Sequence, residues 1–273
     1  MGKHFDSIPK ELVPWIEQQK IFWVATAPLS EDGHINVSPK GVEGTFHLVD
    51  ENTCWYEDLT GSGVETISHL RENARITIMF SAFEGPPRIM RFWGKGTVYE
   101  VGTPEYDAYI QPEQRKPGSR AIILIKIHKV GTSCGYAVPF FTFDRYRTQL
   151  ESHFARKELQ DLEHGARAPG QSGMLDYWAQ KNVRSLDGLP GLQQGIRFAE
   201  SLEATLPPGY IGSGEAQKWR RKEVEEVKKG HHALYISYFD WFTSTQTKMV
   251  LSFLFGVALT VKFQPYIATK YRG

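Results

Sequence analysis

Residues 21–38 read IFWVATAPLSEDGHINVS, and their pattern decides the class of fold. The first seven are apolar, aromatic or β-branched, the make-up of a half-buried strand. SEDG follows, with Asp32-Gly33 as a turn signal. HINVS, residues 34–38, then reads as the returning strand. Strand, turn and strand in so few residues predict a hairpin, the unit of antiparallel sheets.

Further along, residues 45–49 and 53–57 flank Asp50-Glu51-Asn52 and predict a second hairpin. Residues 64–73 (VETISHLREN) read as a helix, because Ile67, Leu70 and Ala74 make one apolar stripe. Ser62 is its expected N-cap, with Glu65 three residues on as in a capping box. Residues 75–80 (RITIMF) alternate as a strand, Gly85-Pro86-Pro87 breaks the chain, and residues 88–99 resume as a long strand. Thr103 and Pro104 mark the start of a short helix over 103–110. Residues 121–130 (AIILIKIHKV) are another strand. Residues 145–162 predict a charged helix, 165–173 a loop, 174–181 a short helix and 185–195 a turn-rich closure. Hairpins first, then strands separated by small helices, predict a mainly β fold with helices: an antiparallel barrel with helices around it. No GxGxxG follows a strand, so a doubly wound dinucleotide-binding sheet is not expected.

Apolar residues make up 41% of the 273 and charged residues 23%, the balance of a globular protein with a core of usual size. The net charge of +1 excludes nucleic-acid binding by bulk electrostatics. Aromatics at 13% suit a barrel with a planar ligand. Cys54 and Cys134 have neither metal-ligand spacing nor the number for a disulfide framework, so a reducing, cytoplasmic compartment is the simple reading. The nine histidines are scattered, His231-His232 is a pair in the tail, and no HExxH occurs; no metal site is expected. MGKHFDS has no apolar run, so no secretory signal is expected, and Asp6 breaks the myristoylation pattern that Gly2 suggests.

After residue 195 the character changes. Pro207-Pro208-Gly209 and Gly212-Ser213-Gly214 punctuate a linker, and residues 215–229 predict a highly charged helix. Its WRRK, residues 219–222, is followed at once by glutamates and reads as a solvated face. Met249 opens an uncharged run, MVLSFLFGVALTV, that ends at Val261. Thirteen helical residues span roughly 20 Å against a hydrocarbon core of about 30 Å. Lys262 could snorkel and let residues 263–268 add length. The run is a candidate tail anchor on an intracellular membrane; the alternative is a helix buried against the domain or a partner.

Four segments in order carry a resemblance: FWVATAPLSEDGHINVSPKG (22–41), WYEDLTGSGVETISHLRENARITIMF (55–80), EGPPRIMRFWGKGTVYE (84–100) and TSCGYAVPFF (132–141). Together they resemble the pyridoxamine 5'-phosphate oxidase-like family of FMN-binding split β-barrels, over roughly residues 8 to 195. The resemblance implies a split-barrel domain over 1–195, a helical C-terminal extension over 196–273, and a homodimer with flavin sites between subunits. It implies FMN as cofactor and an FMN-dependent oxidoreductase acting on a small molecule. The alternative is a non-catalytic flavin-binding or dimerising scaffold tethered to a membrane by its tail.

The residues agree with that cofactor. Thr60, Gly61, Ser62 and Gly63 offer hydroxyls and open backbone at a helix start, where anions are favoured. Thr66 lies in the first turn, Lys40 ends a strand that the family fold places beside it, and Arg91 and Lys95 are further cations. The expected phosphate ligands are Lys40, Thr60, Ser62 and Thr66; Arg91 is a further cofactor-binding candidate, and Trp93 and Tyr136 are candidates for the ring environment. A capped strand-to-helix turn is the plainer reading of Gly-Ser-Gly, and core packing that of the aromatics. No catalytic acid or base stands out.

The chain also departs from the oxidases. They place an Arg-Lys pair where this chain has Glu65 and Thr66, a Gln at Ile89 and an Arg at Ile35, and they carry an Arg-Leu-x-Pro segment that is missing here. Lys40 matches a lysine that holds the substrate phosphate in the oxidases. The fold therefore carries over better than the reaction. Residues 131–135 (GTSCG) fit the G-x-S-x-G elbow of hydrolases, but an extended, proline-containing stretch follows where the elbow needs a helix.

Overall fold

A computed structural model describes residues 2–166 and 172–200, together with 221, 222 and 225. The chain divides into two compact units, Met1–Val224 and Glu225–Gly273. All elements named below belong to the first. Residues 221, 222 and 225 are helical, within the stretch read as a charged helix. The run from Met249 to Val261 lies outside the described residues. Among the described residues no helix is long and apolar enough to cross a membrane.

The strands are β1 (Lys3–Phe5), β2 (Phe22–Thr26), β3 (Asn36–Lys40), β4 (Phe46–Asp50), β5 (Thr53–Leu59), β6 (Arg75–Ser81), β7 (Ile89–Glu100) and β8 (Ser119–Ser133). The helices are α1 (Val13–Gln18), α2 (Glu65–Asn73), α3 (Pro104–Asp107), α4 (Gln149–His164), α5 (Met174–Lys181) and α6 (Gln193–Glu200). The strands form one antiparallel sheet in the order β3-β2-β6-β7-β8-β5-β4, with β1 added beside β8. The fold is mainly β with helices, a split barrel. The hairpin read from residues 21–38 is β2–β3, with Val24 opposite Ser38. β3 starts two residues later than expected, because Asp187 holds His34 outside the ladder: its Oδ2 accepts from the His34 N–H at 2.8 Å.

β8 pairs with β7 along most of its length and with β5 along its first half. Covered on both faces there, residues 119–123 are buried without interruption, which is why this segment reads as an apolar run. The two edge strands, β3 and β4, are not paired with each other. Aromatic side chains of β2, β5 and β6 form one cluster with Phe46 of β4 across the core instead. The Phe22 ring packs on Phe46 at 5.1 Å and on Tyr56 at 5.5 Å, and Phe80 packs on Phe46 at 5.2 Å. Phe22, Tyr56 and Phe80 are buried, and each contributes about 1.5–3 kcal/mol of apolar burial; Phe46 is half-buried. Pro39, which has no N–H to donate, sits on edge strand β3, where a missing ladder donor is tolerated.

Two local expectations fare differently. Thr103 caps α3, its Oγ1 accepting the Tyr106 N–H at 3.3 Å. Ser62 does not cap α2. The N-cap is Val64, with no side-chain cap bond. Glu65 folds back over Gly63, where a Cβ would lie 2.2 Å from its Oε2, and its Oε1 takes the Leu186 N–H at 3.4 Å. The capping box is lost because the carboxylate turns to the 185–190 loop. The stretch read as a closure ends in α6, which runs through residue 195 to Glu200 and packs on α5.

Candidate functional site

A cavity of about 340 Å³ opens at the split, between β3, the end of β5, the turn over residues 60–63 and the start of α2. That is within the usual range for small-molecule sites, about 300–1,000 Å³. Alternation along β3 turns Asn36, Ser38 and Lys40 toward it and leaves Val37 on the outer face, while Pro39, though exposed, also borders the cavity. Arg120, second residue of β8, enters from the opposite wall, and Leu150 of α4 adds an apolar edge.

Behind the two cations stands Asp58, fully buried. Its Oδ1 accepts from Lys40 Nζ at 2.9 Å and its Oδ2 from Arg120 Nε at 2.8 Å. Burial pushes this carboxyl up, and Arg120 and Lys40 together draw it further down, so it lies below the ordinary carboxylate value and stays ionised. Glu57 also borders the cavity; burial pushes its carboxyl up, and its Oε1 accepts the Lys116 N–H at 3.0 Å.

The 60–63 turn is tied down from three sides. Thr60 Oγ1 donates to the Gly118 carbonyl at 2.7 Å and accepts from Trp178 Nε1 at 2.9 Å. Asn182 Nδ2 donates to the Gly61 carbonyl, and Arg120 Nη1 donates to the Gly63 carbonyl and to Asn182 Oδ1. At Gly61 a Cβ would meet nothing within 4 Å, so the backbone there faces open space.

The β3 wall is a polar network. Asn36 Nδ2 donates to Thr66 Oγ1 at 3.1 Å and Thr26 Oγ1 at 3.3 Å, and its Oδ1 accepts from Ser38. Thr26 Oγ1 is 3.0 Å from Nδ1 of the buried His69. Burial drives that imidazole down, against the pull of Asp187, Glu65 and Glu72.

The structure therefore gathers Lys40, Thr60, Ser62 and Thr66 around one cavity. Their parts differ. The Thr60 hydroxyl and its backbone N–H both donate to the Gly118 carbonyl, so Thr60 holds the turn and offers the cavity no free donor. Ser62 is exposed and Thr66 is buried with its oxygen accepting from Asn36. Arg91, Trp93 and Tyr136 do not line this cavity in the single chain. Arg91 and Trp93 stand on the outer face of β7, where Trp93 lies beside His4, ring centroids 6.0 Å apart, and closes over Gly131. Tyr136 is 82% exposed. Lys95 donates to the Asn73 carbonyl at 3.4 Å. Ile35 is exposed and Ile89 half-buried. Residues 131–135 end β8, and no helix starts before Gln149, so the hydrolase elbow is not formed.

Sequence reasoning missed Asp58, Arg120, Asn36 and Asn182. A signal existed for the first two: each is a charge inside an apolar strand, and a buried charge needs a partner.

Comparison with known proteins agrees with this architecture. A family model described as pyridoxamine 5'-phosphate oxidase matches residues 8–134. A curated relative, the pyridoxamine 5'-phosphate oxidase family protein ustO of Aspergillus flavus, is 40% identical over 199 residues, covering 71% of this chain and 79% of that protein. Among solved structures, HupZ of Group A Streptococcus is 26% identical, covers 45% of this chain and 91% of its own, and superposes with a TM-score of 0.37. A Clostridium acetobutylicum protein of the pyridoxinephosphate oxidase family, related to general stress protein 26, is 15% identical, covers 45% and 86%, and has a TM-score of 0.34.

Proposed function

We propose, because this chain belongs to the pyridoxamine 5'-phosphate oxidase family, that the cavity at the barrel's split holds a flavin, FMN, and that the protein is a flavin-dependent oxidoreductase acting on a small molecule. One observation carries the reading: Lys40 and Arg120 face a cavity whose wall also holds hydroxyls and the start of α2, a helix without a side-chain cap. The donor set fits an anionic nucleotide end. Gly61 leaves room for close approach to the backbone, and Lys40, Ser62 and Thr66 supply donors around it. When bound, the flavin supplies a ring that takes up and releases hydride. The chain's part is to bind, orient and exclude water, with Leu59 and Leu150 as apolar wall.

The test is the colour of the purified full chain. The expected result is the visible flavin band, bleached by a reductant and restored by an acceptor. A colourless protein that takes up no added FMN would remove the reading. A second reading, a non-catalytic flavin-binding or dimerising scaffold, is favoured by the mutual engagement of Lys40, Asp58 and Arg120, which leaves none of the three as a free acid or base. Colour without turnover of any electron donor would select it.

The homodimer belongs to this proposal. Ile35 and Val37 are 75% and 61% exposed beside the outer-face Trp23 and the exposed Pro39, an apolar patch suited to a second copy. Val37→Asp is expected to shift the protein from dimer to monomer in analytical ultracentrifugation; an unchanged dimer would place the interface elsewhere. The tail anchor is part of the proposal as well, supported by the uncharged run ending at Val261. Cell fractionation with and without residues 245–273 checks it, and a full chain found only in the soluble fraction rules it out.

A further inference from the structure

We infer that His69, set behind the cavity wall, is a positioning residue: as a neutral ring it accepts the Thr26 hydroxyl at Nδ1 and so holds Asn36, Ser38 and Thr66 in the order that receives a ligand. This rests on the flavin reading above and adds a regulation of that site, loss of affinity on acidification. His69 of α2 is fully buried, and its Nδ1 is 3.0 Å from Thr26 Oγ1. Thr26 of β2 is 3% exposed, and its oxygen accepts from Asn36 Nδ2 at 3.3 Å. Of these two neighbours only Nδ1 can take the hydroxyl proton, because the Asn36 amide nitrogen is itself a donor. A buried hydroxyl without an acceptor is costly, so the ring presents a lone pair at Nδ1 and carries its proton at Nε2. Nε2 is buried and has no hydrogen-bond partner among the described residues.

Asn36 passes the effect to the cavity. Its Nδ2 also donates to Thr66 Oγ1 at 3.1 Å, and its Oδ1 accepts from Ser38 Oγ at 3.0 Å. Thr66 thus accepts from behind and keeps its own proton for the cavity, whereas Ser38 spends its proton on Asn36 and offers lone pairs. Protonation of His69 reverses the first link. An Nδ1–H aimed at Thr26 competes with Asn36 for the same oxygen and leaves the Thr26 proton without its acceptor. Asp187 of the 185–190 loop and Glu65 and Glu72 of α2 face the ring and favour its charged form, but Asp187 is already paired with His34 at 2.6 Å. β2 presents the uncharged Thr26. Burial outweighs the carboxylates and lowers the pKa of the ring, which is neutral above the ordinary imidazole value of about 6.5 and charges only below it.

The experiment titrates the full chain with FMN from about pH 7.5 to about pH 5 and follows flavin fluorescence, beside His69→Asn, His69→Leu and Thr26→Val. Asparagine offers a carbonyl in place of Nδ1 and does not titrate. On acidification the wild type is expected to lose about tenfold more affinity than His69→Asn, the worth of one hydrogen bond. The comparison cancels the titration of the FMN phosphate itself, at about pH 6. At the upper pH, His69→Leu and Thr26→Val should each bind about tenfold more weakly than the wild type, and His69→Asn should restore most of that loss. Parallel pH profiles of the wild type and His69→Asn overturn the inference and leave the flavin reading standing. Unchanged affinity in both His69→Leu and Thr26→Val does the same. A wild type that takes up no FMN at the upper pH removes the flavin reading, and the inference falls with it. If circular dichroism shows His69→Leu unfolded, the nearly isosteric Thr26→Val and His69→Asn decide it by the same criterion.

Discussion

Replacing Asp58 by alanine is expected to lower the unfolding free energy by about 3–5 kcal/mol, because it strands the buried Arg120 and removes the partner of the half-buried Lys40. Asp58 is wholly inaccessible and touches both Lys40 and Arg120. Burial disfavours its charge and the two cations more than restore it. Its folded pKa is therefore below the unfolded value of about 3.9. A group depressed in this way contributes stability that is whole above the unfolded pKa and is lost as pH falls through the folded one. The difference between wild type and Asp58→Ala in urea denaturation should thus be full at pH 7 and narrow below about pH 4. A difference that does not change with pH would mean that Asp58 is not the ionised centre of this triad.

Trp178→Ala should cost a comparable amount, about 3–5 kcal/mol, by emptying the largest fully buried side-chain site in the described structure. Trp178→Phe keeps most of the packing and removes the Nε1 donor to Thr60, for about 1 kcal/mol. The two substitutions separate volume from tether. If the tether matters to the cavity, Trp178→Phe should loosen the 60–63 turn and weaken flavin binding several-fold while the protein stays folded. Urea denaturation read beside a flavin titration checks both; an unchanged affinity in the phenylalanine variant would show that the turn stands without α5. Trp178 and Asn182 lie well beyond residues 8–134, so the part of the chain that matches the family model supplies the Gly118 and Arg120 tethers of this turn but not those from α5 and its C-cap.

Much of the barrel could be read from local pattern. The alternation in FWVAT and RITIMF, the Asp32-Gly33 turn and the Thr103-Pro104 start report on neighbours a few residues away, and the structure has β2, β6, the β2–β3 hairpin and α3 at those places. α5 runs over the residues read for it, 174–181. β1 was missed because three residues carry no period; it exists only because the end of β8 offers it an edge. Ser62 was misread for a similar reason. Its spacing to Glu65 is right for a capping box, but the 185–190 loop, more than a hundred residues away, offers the carboxylate another donor.

The sequence by itself determined that the chain would pair antiparallel strands into a barrel with a hydroxyl-rich turn ahead of a helix, because strand periodicity, turn residues and helix stripes are properties of adjacent residues. Only the tertiary structure decided which charges meet. Lys40, Asp58 and Arg120 sit on β3, β5 and β8, and no spacing along the chain encodes their contact. The curl of the sheet brings them together, and the cost of burying any one of them unpaired keeps them there.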